Sequence, residues 1–326
     1  MRRLSIDPET WPLASTFRIS RGAKTEARVV VVTVSDGAHA GRGECVPYPR
    51  YGETVESVIA AIEAVRAAVE LGLDREALQA ALPPGAARNA LDCALWDLAA
   101  KQAGVRVWEL AGTPAPAPVL TAKTIGLDTP DNMAAAARRD AACPLLKLKV
   151  TGDGDLARVA AVKEGAPSSR LVVDANEGWE PAILGELLPG LADLGVEMVE
   201  QPLPAGDDAA LAGYVSPVAL CADEACHTRD DLAGLAGRYG MVNIKLDKTG
   251  GLTEALALVR DARAAGFGIM VGCMVGTSLA MAPAMVLTPF ADIVDLDGPL
   301  LLAEDRNPGL AYDGTTIDAP EPALWG

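Results

Sequence analysis

The stretch VNIKLDKTGGLTEALALVRDARAAG, residues 242–266, holds one complete structural unit. It opens on a β-rich run, passes through polar punctuation with two glycines, and continues with apolar residues at helical spacing. It ends on Gly266, the residue type favoured just past a helix C-terminus. From residue 119 onward the form recurs roughly every 24 residues. The other runs are LTAKTIGL (120–127), LLKLKV (145–150), LVVDAN (171–176), MVEQP (198–202), VALCADE (218–224), GIMVGCM (268–274) and DIVDLDG (292–298). Helical stretches between them include DLARVAAVKEGA, ILGELLPGLADLG and LAGLAGRYG. Eight strand-like runs alternating with helices predict a (β/α)8-type barrel. An open doubly wound sheet is the rival, but no G-x-G-x-x-G opens the first unit.

The residues before the repeat have another character. EARVVVVTVSDG and AGRGECVPY read as paired strands, and TVESVIAAIEAVRAAVELG and AARNALDCALWDLAAKQAG read as amphipathic helices. A proline-rich stretch, GTPAPAPV (112–119), follows as a linker. The expected organisation is an α+β capping domain over residues 1–115, a barrel over 116–298, and a tail over 299–326 that packs back on the capping domain.

Composition excludes several classes. The 326 residues carry a net charge of −16, which opposes nucleic acid or an anionic membrane as partner. No apolar run approaches the roughly 18 residues of a membrane span. The start, MRRLSIDPETWPLA, lacks the apolar core of an export signal, and the six cysteines form no C-x-x-C pair. A cytoplasmic protein with reduced thiols is expected, with self-association left open.

Charges fall at the ends of the barrel runs, where strand ends converge on the mouth that carries active sites in such barrels. Asp174, Glu200 and Asp223 lie on three successive runs. Converging carboxylates repel unless a hard cation neutralises them, and all-oxygen donors select Mg²⁺ or Mn²⁺ over zinc. Lys147 and Lys149 share one face of the second run, and Lys245 lies on the sixth, across the barrel. Ammonium neighbours and a cation favour a neutral lysine, which acts as a base. Two such bases on opposite faces of a substrate carboxylate can remove an α-proton from one side and return one to the other, a racemase or epimerase arrangement. The plain rival is that the lysines only neutralise the acids. Asp295 and Asp297, on one face of the eighth run, form an anionic pocket that wants a cation. A substrate ammonium is one partner; Arg306, from the tail, is the structural alternative.

The ordered set KLKV, VDANEGW, VEQPLP, CADE and VNIKLDKTGGLTEAL, with ARNALDCALWDLAAK before it, resembles the enolase superfamily in its muconate lactonizing enzyme subgroup. The resemblance implies a modified (β/α)7β barrel with the capping domain completed by the C-terminal tail. It implies Lys149 and Lys245 as the acid/base pair, Asp174, Glu200 and Asp223 as Mg²⁺ ligands, and Lys147 and Lys248 as supporting residues. ECVPYPRYGE, GCMVGTS and DLDGP are similar to segments of dipeptide epimerases, the bacterial L-Ala-D/L-Glu epimerases among them. There Asp295 and Asp297 would hold the substrate's N-terminal ammonium, with Thr124 beside it. Lys24 stands where an arginine is expected to meet the glutamate side chain, with Arg18 and Arg21 as neighbouring substitutes. Gly276 would widen the pocket. The implied activity is inversion of the C-terminal residue's α-carbon in a small dipeptide, in peptidoglycan recycling. N-succinylamino acid racemase or o-succinylbenzoate synthase chemistry is the runner-up, and a non-catalytic peptide-binding barrel the remote rival.

Overall fold

The computed structural model describes residues 2–326. Strands β1 (Arg3–Ile19), β2 (Gly22–Ser35) and β3 (Ala40–Cys45) form an antiparallel sheet. Helices α1 (Val55–Ala64) and α2 (Ala86–Ala103) belong to the same capping region. Thr54 caps α1 by accepting from the Ser57 N–H. β3 lies so close on α2 that a Cβ at Gly41 or Gly43 would fall 2.1 Å from the carbonyl oxygens of Ala94 or Ala90. Only glycine permits that approach. The long β1 has no counterpart in the sequence reading. Its Pro8 and Pro12 and its mostly exposed side chains hide the strand pattern, and pairing with β2 supplies what propensity lacks.

Eight parallel strands follow in consecutive order: β4 (Lys123–Ile125), β5 (Leu145–Lys149), β6 (Arg170–Asp174), β7 (Val196–Glu200), β8 (Ala219–Ala222), β9 (Met241–Ile244), β10 (Gly268–Gly272) and β11 (Ile293–Asp295). The Ala122 N–H donates to Val294 O at 2.8 Å and joins the two ends of the sheet. Helices α3 (Pro130–Arg139), α4 (Asp155–Gly165), α5 (Leu184–Asp193), α6 (Leu252–Ala264) and α7 (Ser278–Ala284) alternate with these strands. The expected helix at LAGLAGRYG is a single turn, Leu232–Leu235, because Gly234, Gly237 and Gly240 weaken its continuation. No helix among the described residues is long and apolar enough to cross a membrane.

Inside the barrel, Ala122, Leu145, Val172, Met198, Cys221, Met270 and Ile293 pack into one apolar layer. Two residues further along each strand direction stand Thr124, Lys147, Asp174, Glu200, Asp223, Gly272 and Asp295. The period of two along a strand therefore sets a polar layer directly on the apolar one. The tail reaches both regions. Thr316–Ile317 pairs with Val119–Leu120, and the Gly326 N–H and the Trp325 indole donate to Asp97 and to Cys93 O on α2.

Candidate active site

The polar layer opens into a cavity of about 520 Å³ lined by barrel and capping residues together. Lys147, Lys149, Asp223, Lys245, Asp295, Asp297, Thr124 and Lys24 all border it. Lys147 is buried, and its Nζ lies 2.6 Å from Glu200 Oε2, 2.7 Å from Asp295 Oδ2 and 3.2 Å from Asp174 Oδ2. Lys149 Nζ sits 2.6 Å from Asp174 Oδ2, and Lys245 Nζ 2.6 Å from Asp223 Oδ2. Lys248 is also buried; its Nζ lies 2.7 Å from Asp223 Oδ1 and donates to Asn243 O. Asn243 donates to Glu200 Oε1 at 2.6 Å.

The charges shift one another. Burial raises Glu200 to about 7, helped by Asp174 and opposed by Lys147. Burial also works against ionised Asp223, but Lys245 and Lys248 overcome it and hold the carboxyl well below its usual range. Burial opposes the charged forms of Lys147 and Lys245 too, yet their carboxylate neighbours leave both well above the ordinary lysine value. Among these side chains alone, the Asp223 carboxylate at 2.6 Å favours the ammonium form of Lys245.

The donor set fits a hard cation. Glu200 Oε2 and Asp223 Oδ1 are buried carboxylate oxygens whose nearest charged neighbours are ammonium nitrogens, at 2.6 and 2.7 Å. Such oxygens are the ligands that Mg²⁺ takes. Among the described residues no three His, Cys, Asp or Glu side chains are grouped tightly enough to enclose an ion. Each carboxylate leans on a lysine instead, the arrangement that like charges adopt around the nearest positive group.

The Asp295–Asp297 pair has a partner the sequence did not reveal. Asp295 accepts from Lys147, while Asp297 Oδ2 accepts the Thr124 N–H at 2.7 Å. Asp295 Oδ1 is buried and receives no donor. Burial and the neighbouring Asp295 raise Asp297 to about 6. Arg306, the structural alternative, pairs with Glu9 and Glu44. Lys24 borders the cavity, and burial, with Lys149 next, lowers it to about 8. Arg18 borders a second groove, between the hairpin tip and the segment Leu127 to Pro130. Arg21 borders the cavity, but its guanidinium is taken by Asn176 O, Glu177, Tyr48 and Glu224. Gly276 does not widen the pocket: a Cβ there would meet Glu44 and Val46 at the junction with the capping sheet.

Sequence reasoning missed the capping residues Phe17, Tyr48 and Tyr51 and the barrel-end residues Cys273 and Met274, all of which line the cavity. ECVPYPRYGE and GCMVGTS carried that signal, but no local charge pattern singled these side chains out.

Residues 1–112 match the family described as mandelate racemase/muconate lactonizing enzyme, N-terminal domain, and residues 132–321 match the enolase C-terminal domain-like family. The chain belongs to the mandelate racemase/muconate lactonizing enzyme family of the enolase superfamily. Within this family it is 52% identical to the L-Ala-D/L-Glu epimerase of Escherichia coli strain K12, over 96% of this chain and 98% of that one. It is 45% identical to an N-acetyl-D-glutamate racemase from a Pseudoalteromonas species, over 91% of this chain and 95% of the relative. A crystal structure of an enolase family member from Agrobacterium tumefaciens, with homology to dipeptide epimerases and with bound sodium and L-Ala-L-Glu, superposes with a TM-score of 0.98 at 53% identity, covering 100% of both chains.

Proposed function

We propose that this protein is a Mg²⁺-dependent dipeptide epimerase that interconverts L-Ala-L-Glu and L-Ala-D-Glu. The observation that carries the reading is one cavity bordered by Lys149 from the second barrel strand, Lys245 from the end of the sixth, and the Asp295–Asp297 pair from the eighth. Lys149 and Lys245 work from opposite sides of the substrate α-carbon. One, as the neutral amine, takes the α-proton of the C-terminal residue, and the electron pair of the broken C–H bond passes into the adjoining carboxylate. The other, as the ammonium, delivers a proton to the opposite face, and the roles exchange for the reverse reaction. Asp174, Glu200 and Asp223 would hold Mg²⁺, with Mn²⁺ as a substitute. Held there, the cation would supply Lewis-acid stabilisation of the substrate carboxylate and offset the carboxylate charge that favours protonated lysines.

Lys147 braces Asp174, Glu200 and Asp295 from within the barrel. Asp295 and Asp297 receive the substrate's N-terminal ammonium, for which Asp295 Oδ1 has an unused lone pair. Lys24 faces the glutamate side chain as a point charge without the fork of an arginine, and so selects less strictly. The setting that fits this substrate is cytoplasmic recycling of peptidoglycan peptides.

A second reading, racemisation of an N-acylated glutamate, has the Pseudoalteromonas relative in its favour. The two aspartates oppose it, because an acylated nitrogen carries no charge. Incubation with Mg²⁺ in D₂O decides between them: the expected result is α-deuterium uptake and inversion at the C-terminal residue of L-Ala-L-Glu. Turnover of N-acetylglutamate with no exchange in the dipeptide would favour the second reading.

A further inference from the structure

Among the described residues only Asn176, Glu177 and Gln201 are non-glycine residues with positive φ, at 45°, 67° and 34°. All three follow the ends of β6 and β7, at the barrel mouth. Such conformations cost free energy and persist where surrounding contacts over-determine them. At Glu177 those contacts are unusually many. Its N–H donates to Gln201 O at 2.9 Å, which ties it to the next barrel loop. Its carboxylate accepts from Arg50 Nε and Nη2, each at 2.7 Å, from Arg21 Nη1 at 3.0 Å and from the Ala205 N–H at 2.8 Å. The side chain is only 7% exposed, so two guanidinium groups share one nearly buried carboxylate.

The two arginines come from different capping segments. Arg21 sits in the β1–β2 hairpin tip, and Arg50 in the turn Pro49–Tyr51. The same tip sends Ser20 Oγ to Asn176 O at 2.9 Å, and the Leu127 N–H returns to Arg18 O at 3.0 Å. In the hairpin register Lys24 pairs with Phe17, whose ring centroid is 6.0 Å from Lys149 Nζ. Whatever seats the tip therefore also seats Lys24 and Phe17 over the cavity. The turn in the same way carries Tyr48 and Tyr51, which line it.

We propose that Glu177 is a positioning residue: its carboxylate is the common anchor that holds both capping loops over the barrel mouth and so places Lys24. The role of Lys24 rests on the dipeptide reading; the anchoring does not. Glu177 hydrogen-bonds to neither Lys149 nor Lys245, which are held by Asp174 and Asp223. Its loss acts on closure and binding, while the proton-transfer groups keep their strand-set positions.

The test compares wild type with Glu177→Gln, which keeps the shape and removes the charge, and with Arg50→Gln, whose side chain lies on the exposed edge of the cluster. Without substrate, limited trypsin digestion of the full chain is expected to cut the hairpin after Arg18, Arg21 or Lys24 roughly tenfold faster in Glu177→Gln, and a few-fold faster in Arg50→Gln. With L-Ala-L-Glu, KM should rise about tenfold while kcat stays within about twofold, and Mg²⁺ affinity by calorimetry should not change. A folded Glu177→Gln protein whose hairpin is cut at the wild-type rate overturns the proposal. So does a joint fall in Mg²⁺ affinity and kcat with KM unchanged, which would place Glu177 with the barrel loop alone. If Glu177→Gln does not fold, the Arg21→Met and Arg50→Gln double variant decides by the same digestion. If wild type turns over no dipeptide, the dipeptide reading fails, and the digestion still decides the anchoring.

Discussion

The barrel interior and the capping loops hold their functional side chains by different means. Asp174 and Glu200 end strands paired on both sides, and Asp295 ends one paired on one side and joined on the other by the Ala122–Val294 hydrogen bond; each lies two residues beyond a buried apolar side chain. Lys24, Tyr48 and Tyr51 sit on a hairpin and a turn that reach the barrel mouth through the side chains of Arg21, Arg50 and Glu177. Strand-borne groups inherit their places from backbone geometry, whereas loop-borne groups depend on a few charge-assisted hydrogen bonds. Chemistry assigned to the first set should therefore be brittle and all-or-none. Selectivity assigned to the second should be graded and open to change.

The largest effects are expected at the strand-borne lysines. Lys149→Ala and Lys245→Ala should each lower epimerisation of L-Ala-L-Glu by about 10³-fold or more, because each direction needs both proton transfers. Either variant can still exchange the α-proton of one epimer with D₂O without inverting it, which NMR resolves. A single-lysine variant that epimerises near the wild-type rate would break the comparison at its strongest point. Removal of divalent metal by a chelator should likewise abolish turnover, and Mg²⁺ or Mn²⁺ should restore it. Asp223→Asn should bind the metal more weakly, measured by calorimetry.

Asp295 and Asp297 sharpen the contrast within one strand end. Asp297 touches Thr124 rather than the lysine cluster, so Asp297→Asn should cost about ten- to hundredfold in kcat/KM for dipeptides and leave Mg²⁺ affinity alone. N-acetylation of the substrate should cost wild type a similar factor and this variant much less. Asp295→Asn should in addition weaken Mg²⁺ binding, because Asp295 shares Lys147 with Asp174 and Glu200. Equal metal affinities in the two variants would show that Lys147 does not link the two halves of the site.

The smallest effect belongs to Lys24, beside the hairpin tip. Burial and Lys149 lower it to about 8, so its positive charge is present below that pH and lost as pH rises through it. The ratio of kcat/KM for L-Ala-L-Glu to that for L-Ala-L-Leu should therefore fall several-fold between about pH 7 and pH 9. The ratio cancels titrations common to both substrates. Lys24→Arg should flatten the profile, since arginine keeps its charge. An unchanged profile in that variant would remove Lys24 from side-chain recognition.

Much of this was legible in the amino-acid sequence because strand and helix periods are local properties. Eight runs at a regular interval, with Asp174, Glu200, Asp223, Lys245 and Asp295 near their ends, determined the barrel and the side of it on which the charges gather. Alternation along each strand then decided that Lys147 and Lys149 share a face with Leu145. The tertiary structure alone decided which charge meets which. Asp295 turned out to belong to Lys147, Arg306 to Glu9 and Glu44, and Arg21 to Glu177 and Glu224. It also decided that Lys24, rather than Arg18, borders the cavity. Ion pairs form between residues more than a hundred positions apart, and nothing in a charge's sequence neighbourhood encodes its distant partner. Lysine and arginine side chains are long enough to choose among several carboxylates. Burial makes an unpaired charge costly, and so the packed interior selects one pairing from many.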